Sequence, residues 1–155
     1  MTTVIRRGGA QDVPFMRSLL THAYNWHVAV FDTEVPIGRY VDGWGRPGDT
    51  ALIAMEGGHR VGAGWFRLFR ASAPAYGFLD EQTPELTIVV VPGRQGEGIG
   101  LQLLTDLLER ARADAYRAVS VSIEKGHPEV AVYEAEGFEE VGETHHAVIL
   151  RRVLA

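Results

Sequence analysis

Glu85-Leu86-Thr87-Ile88-Val89-Val90-Val91-Pro92-Gly93-Arg94-Gln95-Gly96-Glu97-Gly98-Ile99-Gly100 carries a β-branched run straight into a glycine loop. From Glu85 to Val91 the apolar character is too continuous for one face to be solvated, so this run is expected as a central strand. Pro92 to Gly100 holds four glycines in nine residues. Beyond them Ile99, Leu103, Leu104, Leu107, Leu108, Ala111 and Ala115 recur at helical spacing, which predicts a long amphipathic helix with its last turn near Tyr116. Strand, glycine loop and helix in that order make an anion site. Free amides at a helix N-terminus converge where the helix dipole is positive, and glycines let a phosphate approach them without Cβ atoms in the way.

Upstream, Thr3 to Arg6 reads as an opening strand, and Asp12 as the N-cap of a helix whose apolar face is Met16, Leu19, Leu20, Ala23 and Tyr24. Ile37, Tyr40, Val41 and Trp44 predict a short second helix, ended by Gly43, Gly45, Pro47 and Gly48. Ala51 to Met55 and Arg60 to Phe69 flank Glu56-Gly57-Gly58-His59, the composition of a tight hairpin turn. Downstream, Ala118 to Ile123 reads as a strand, Pro128 to Glu136 as a short helix closed by Gly137, and Ala147 to Leu154 as a final strand. Hairpins followed by a β-α-β-α-β run make the class α+β, a central sheet covered by helices.

The chain has 155 residues, 46% hydrophobic and 23% charged, and these proportions fit one domain over residues 1–155. It has no Cys, which removes thiol catalysis, cysteine-ligated zinc, iron–sulfur clusters and disulfides. A cytoplasmic location is the default expectation. No apolar run approaches the ~18 residues of a membrane span, and MTTVIRRGG lacks the core of a signal peptide. With 15 Lys+Arg against 20 Asp+Glu the net charge is −5, the wrong sign for a nucleic-acid partner. His145-His146 and His22 with His27 lack chelate spacing, so no metal is expected.

The loop fails two familiar phosphate patterns. A Walker loop needs Gly-Lys-Ser/Thr, which Gly98-Ile99-Gly100 does not offer, and the dinucleotide pattern needs a sixth-position glycine where Leu101 stands. It does match Gln/Arg-x-x-Gly-x-Gly/Ala, as Gln95, Gly98 and Gly100. About thirty residues on, Ser120 to Phe138 supplies a strand, a turn at His127-Pro128, and Tyr133-x-x-x-Gly137-Phe138 at a helix end. Together, in this order, the two segments resemble the acyl-CoA site of the GCN5-related N-acetyltransferase (GNAT) superfamily.

The resemblance implies a mostly antiparallel, twisted sheet of about six to seven strands with a splayed parallel pair, flanked by about four helices. It implies acetyl-CoA as cosubstrate, lying in the splay. Main-chain groups of Val89 and Val91, with Val90 between them, would bind the pantetheine arm as an added strand does. Amides of Gln95, Gly96, Glu97, Gly98, Ile99 and Gly100 would bind the pyrophosphate, with Arg94 the loop's one cation. Gly98 and Gly100 are both expected to exclude a Cβ. Glu97 stands where relatives often carry a cation. His127 replaces the commoner Asn and has two readings, a contact to the CoA arm or a cap on the helix at Pro128.

Amine acetylation needs a base, because an amine of pKa ~10.4 is neutral in about one molecule in 2,500 at pH 7. By resemblance Glu85 is the candidate base and Tyr133 the hydroxyl facing the departing sulfur; the plain alternatives are a strand-end carboxylate and a core tyrosine. Trp26, Trp44 and Trp65 either pack in the core or wall the acceptor pocket. Asp32, Glu34, Asp80 and Glu81 fall in the loops that border the acceptor in relatives, and hint at a cationic small molecule. A homodimer is left open. The expected reaction is direct acetyl transfer in a ternary complex; the alternative is a GNAT-like module that binds CoA without turnover.

Overall fold

The computed structural model describes residues 2–24 and 35–154. Seven strands form one sheet: β1 (Val4–Arg7), β2 (Thr50–Glu56), β3 (His59–Arg67), β4 (Glu85–Val90), β5 (Ala118–Glu124), β6 (Glu139–Glu143) and β7 (Ala147–Val153). Their order across the sheet is β1-β2-β3-β4-β5-β7-β6. Every neighbouring pair is antiparallel except β4 and β5, which run parallel and share one registered pair, Glu85 with Ser120. The expected splayed pair is thus present, closed at Glu85.

Among the described residues three α-helices cover the sheet, α1 (Val13–Tyr24), α2 (Ile99–Ala113) and α3 (Glu129–Ala135), with 3-10 turns at Ala10–Asp12 and Ile37–Tyr40. On one face α2 buries Ile99, Leu103, Leu104, Leu107 and Leu108, each apolar side chain of this size contributing about 1.5–3 kcal/mol. It sits close over β3, because Gly62 and Gly64 present no side chain there. A Cβ on Gly64 would lie 2.8 Å from Leu107 Cδ1. The opposite face holds Met16, Leu19 and Leu20 of α1 against Tyr40, Ile53, Trp65 and Phe69. Trp65 is a core residue, fully buried, with its indole N–H donating to the Tyr40 carbonyl at 3.2 Å.

Several boundaries differ from expectation for physical reasons. Asp12 does not cap α1; it closes the 3-10 turn before it, and its buried carboxylate accepts from the Gly9 amide at 2.9 Å and from Arg6 and Arg60. Hydrogen bonding to Arg6 is the main reason this carboxyl is held well below the usual carboxylate range. The helix expected from Ile37 to Trp44 is only the turn Ile37–Tyr40. Buried Arg67 takes the carbonyls of Arg39 and Asp42, at 3.0 and 2.7 Å, which a continuing helix would have used. Its remaining hydrogen bonds go to Asp49, at 2.9 and 2.8 Å, and Trp44 lies under the guanidinium at 5.2 Å.

Candidate functional site

At the closed point of the splay Glu85 of β4 is paired with Ser120 of β5. It begins β4, is buried, and sits beneath the segment Ala75–Phe78. Its Oε2 accepts the Tyr40 hydroxyl at 2.6 Å and its Oε1 the Gly77 amide at 2.8 Å. The fit is close, since a Cβ on Gly77 would stand 2.9 Å from the Glu85 carboxyl carbon and 3.1 Å from the Ser122 nitrogen. Ser120 Oγ donates to the Gly77 carbonyl at 2.8 Å and pins that segment to β5. Burial pushes the Glu85 carboxyl up to about 7, against the two hydrogen bonds, which favour the anion. It is therefore no solvated strand-end carboxylate.

Beyond Glu85 the β5-side edge of β4 is open. The Val91 amide donates to the Val61 carbonyl at 3.0 Å, toward β3, while the Pro84 carbonyl accepts from the Ser120 amide at 3.0 Å, toward β5. Main-chain groups alternate along an extended strand, and the β3–β4 register runs unbroken from Glu85 to Val90. The expectation that Val89 and Val91 present their main chain to the gap is corrected accordingly: those residues face β3. Ile88 and Val90 offer the free edge, a place for an added strand-like ligand.

The glycine loop opens outward. Gly93, Gly96 and Gly98 have φ of 87°, 83° and 86°, conformations that favour glycine, and a Cβ on any of them would meet nothing within 4 Å. Gly98 stands at the N-cap of α2, and the first amide bonded back into the helix is that of Gln102, at 3.1 Å from the Gly98 carbonyl. The preceding amides of the helix start have no intrahelical acceptor and face this open space. Glycine-lined room over a helix N-terminus suits a diphosphate such as that of CoA. Gly100 has a helical backbone, and a Cβ there would touch Val90 and Ile88 at an ordinary 3.8 and 3.9 Å. Ile99 turns its side chain into the core, leaving only its main chain to the loop.

Arg94 is not a free cation. It donates to Glu97 through Nε and Nη2 at 2.9–3.0 Å and to Glu56 Oε2 at 2.8 Å. Those bonds, to Glu97 first, raise the Arg94 guanidinium further and lower the Glu97 carboxyl. Gln95 folds back so that its Oε1 accepts the Gly93 amide at 2.9 Å, bracing the loop. The Arg94 guanidinium and the Gln95 carboxamide oxygen are thus both engaged within the loop and with Glu56.

On the other strand of the splay, His127 caps α3: its Nδ1 accepts the Glu129 amide at 3.1 Å. Tyr133, one turn further, is buried and meets Phe138 edge-on with ring centroids 5.2 Å apart. Asp80 lies exposed, and its Oδ1 accepts from the Gln82 amide and the Thr83 hydroxyl, both at 2.9 Å. Glu81 accepts the Ala71 amide at 2.9 Å. Trp26, Asp32, Glu34 and His27 lie outside the described residues. Among the described residues, no group of three or more His, Asp or Glu is gathered as a metal site, and no helix is long and apolar enough to cross a membrane. Tyr40, Gly77 and Arg67, which shape the surroundings of Glu85, were not among the sequence candidates. Tyr40 read only as an apolar helix position, and no local motif links it to a strand 45 residues away.

The sequence profile of the Acetyltransferase (GNAT) family matches residues 14–138. The chain belongs to this family. As a GNAT protein it is an acetyl-CoA-dependent acyltransferase, and the non-catalytic alternative is set aside. Two relatives, from Pseudomonas paraeruginosa and Pseudomonas aeruginosa, are L-methionine sulfoximine/L-methionine sulfone acetyltransferases; each is 29% identical over 150 residues, spanning 92% of this chain and 84% of the relative. Among solved GNAT-type structures, a ribosomal-protein-alanine N-acetyltransferase from Brucella melitensis superposes with a TM-score of 0.75 at 26% identity, covering 97% of this chain and 99% of its own. A phosphinothricin acetyltransferase from Sinorhizobium meliloti, solved with acetyl-CoA, shares the fold with a TM-score of 0.70 at 20% identity, covering 100% and 90%.

Proposed function

We propose that this enzyme transfers the acetyl group of acetyl-CoA to the amine of a small molecule in a direct ternary complex, with an amino acid of the methionine sulfone or sulfoximine kind as the first acceptor to test. The observation that carries the reading is Glu85, a buried carboxyl with a pKa near neutrality at the closed end of the strand gap. The relatives' names supply the acceptor class.

Bound acetyl-CoA supplies an acetyl group activated as a thioester. Around it, the free edge of Ile88 and Val90 receives the pantetheine arm, and main-chain amides from Gly96 to Leu101 receive the diphosphate. Removing the proton of an amine of pKa ~10.4 at pH 7 costs about 4.6 kcal/mol if nothing accepts it. Glu85, with a pKa of about 7, has about half its population anionic at pH 7 and takes that proton through water, since the side chain is 2% exposed. Tyr133 donates a hydrogen bond to the sulfur as it gains negative charge. With no Cys in the chain, no thiol relays the acetyl group. A cytoplasmic setting, where acetyl-CoA is made and used, fits the reading.

Mass spectrometry after incubation with acetyl-CoA and a panel of amines tests this: L-methionine sulfone, L-methionine sulfoximine, a polyamine and an alanine-ended peptide. The expected product is the N-acetyl amino acid, and Tyr133→Phe should lower kcat while holding CoA affinity within a few fold. Acetylation of the peptide alone would contradict the small-molecule assignment. Full kcat in Tyr133→Phe, with chemistry limiting, would make that tyrosine a packing residue.

A further inference from the structure

We propose that Tyr40 is a positioning residue for the base, its hydroxyl fixing the Glu85 carboxylate as an anion at the closed end of the β4–β5 gap. The inference rests on the reading of Glu85 as the base. Tyr40 is buried, and its hydroxyl stands between two groups that orient it. The Tyr76 amide donates to the hydroxyl oxygen at 3.1 Å, and the hydroxyl proton goes to Glu85 Oε2 at 2.6 Å. The other carboxylate oxygen receives the Gly77 amide. Both bonds are donated to Glu85, so both favour its charged form, against a burial that disfavours it.

The neighbourhood shows why this role falls to a tyrosine. Arg67 is the register partner of Glu85 on β3, and residues directly opposite in an antiparallel pair share a face of the sheet. A guanidinium there would ordinarily pair with the carboxylate and hold its pKa low, leaving a poor base. It is instead turned to Asp49, at 2.8 Å, and to the carbonyls of Arg39 and Asp42, on either side of Tyr40. The same contacts that divert the cation from Glu85 hold the turn that delivers the tyrosine. From β5 the group in contact with this cluster is Ser120, whose hydroxyl goes to the Gly77 carbonyl. Glu85 thus has a hydroxyl and an amide as its partners where a strong cation stands within one strand spacing.

The test reads the ionisation of Glu85 directly, by infrared titration of its carboxyl C=O band in the enzyme without acetyl-CoA, assigned by difference against Glu85→Gln. Alongside it runs the acid limb of kcat/KM. Tyr40→Phe keeps the ring and removes one charged hydrogen bond, so the titration midpoint and the acid limb should both rise by about one to two pH units. Activity at pH 7 should fall about tenfold and recover at higher pH. A 3-fluorotyrosine at position 40, a stronger donor of nearly the same shape, should move the midpoint the other way, and it serves if Tyr40→Phe fails to fold. A midpoint unmoved by the change at position 40, with an acid limb that vanishes in Glu85→Gln, overturns the role of Tyr40 and leaves the base in place. An acid limb that survives in Glu85→Gln overturns the base, and this inference with it.

Discussion

Burying a carboxyl so that it titrates near neutrality is a stability statement as well as a catalytic one, and Glu85 makes it testable without substrate. Its folded pKa of about 7 lies above its unfolded value, so the folded protein holds a proton that the unfolded chain has released. The associated stability is fully present below the unfolded pKa and is lost as pH rises through about 7. Asp12, held low by Arg6, has the opposite sign: its contribution is present above the usual carboxylate range and lost as pH falls. Thermal melts of the wild type and Glu85→Gln from pH 5 to 8 should therefore show the melting temperature shifting in favour of the variant as pH rises. A gap independent of pH would mean that Glu85 titrates normally. Tyr133 poses the reverse problem, since its packing against Phe138 accounts for its burial and only kinetics can read its hydroxyl.

At the scale of elements, α2 ends in a way that invites improvement. Ala115 adopts φ 66°, a left-handed conformation, while its amide bonds to the Arg112 carbonyl and that of Tyr116 to the Ala111 carbonyl, both at 3.0 Å. This is a helix terminus that glycine usually closes. Ala115→Gly should stabilise the protein by about 0.5–1 kcal/mol, a rise of roughly 1–4 °C in melting temperature; an unchanged or lower value would mean that the left-handed Ala115 carries no strain. The same alanine explains why sequence periodicity runs on to Tyr116: apolar spacing continues and no glycine marks the stop. Elements with a strong local signature were legible, among them the Gly57-Gly58 hairpin, with φ of 58° and 81°, and the run from strand to loop to α2. β6 was not, because Glu139-Glu140-Val141-Gly142-Glu143 is an exposed edge strand with no apolar alternation, its charges protecting the open edge. The turn before Val41 has no local signature because the group that ends it, the Arg67 guanidinium, arrives from β3. Glu85 and Tyr133 were candidates through the family resemblance and the glycines through the loop motif, whereas Tyr40, Gly77 and Arg67 act through contacts made only by the fold.

For the molecule as a whole, one topological fact organises the site. The sheet is continuous except where two parallel strands meet at a single pair, Glu85 with Ser120, and part beyond it. That parting leaves the edge of Ile88 and Val90 open, sets the α2 start with its three left-handed glycines beside it, and puts the buried Glu85 carboxyl at its closed end. Acetyl-CoA entering this gap would be visible on titrating CoA into 15N-labelled protein and following amide chemical shifts. The largest changes should fall on the amides from Gly96 to Leu101 and on Ile88 and Val90. No binding at millimolar CoA, or binding whose shifts cluster instead at the cleft lined by Arg6, Thr50, Asp106 and Arg110 between α2 and the β1–β2 edge, would contradict it.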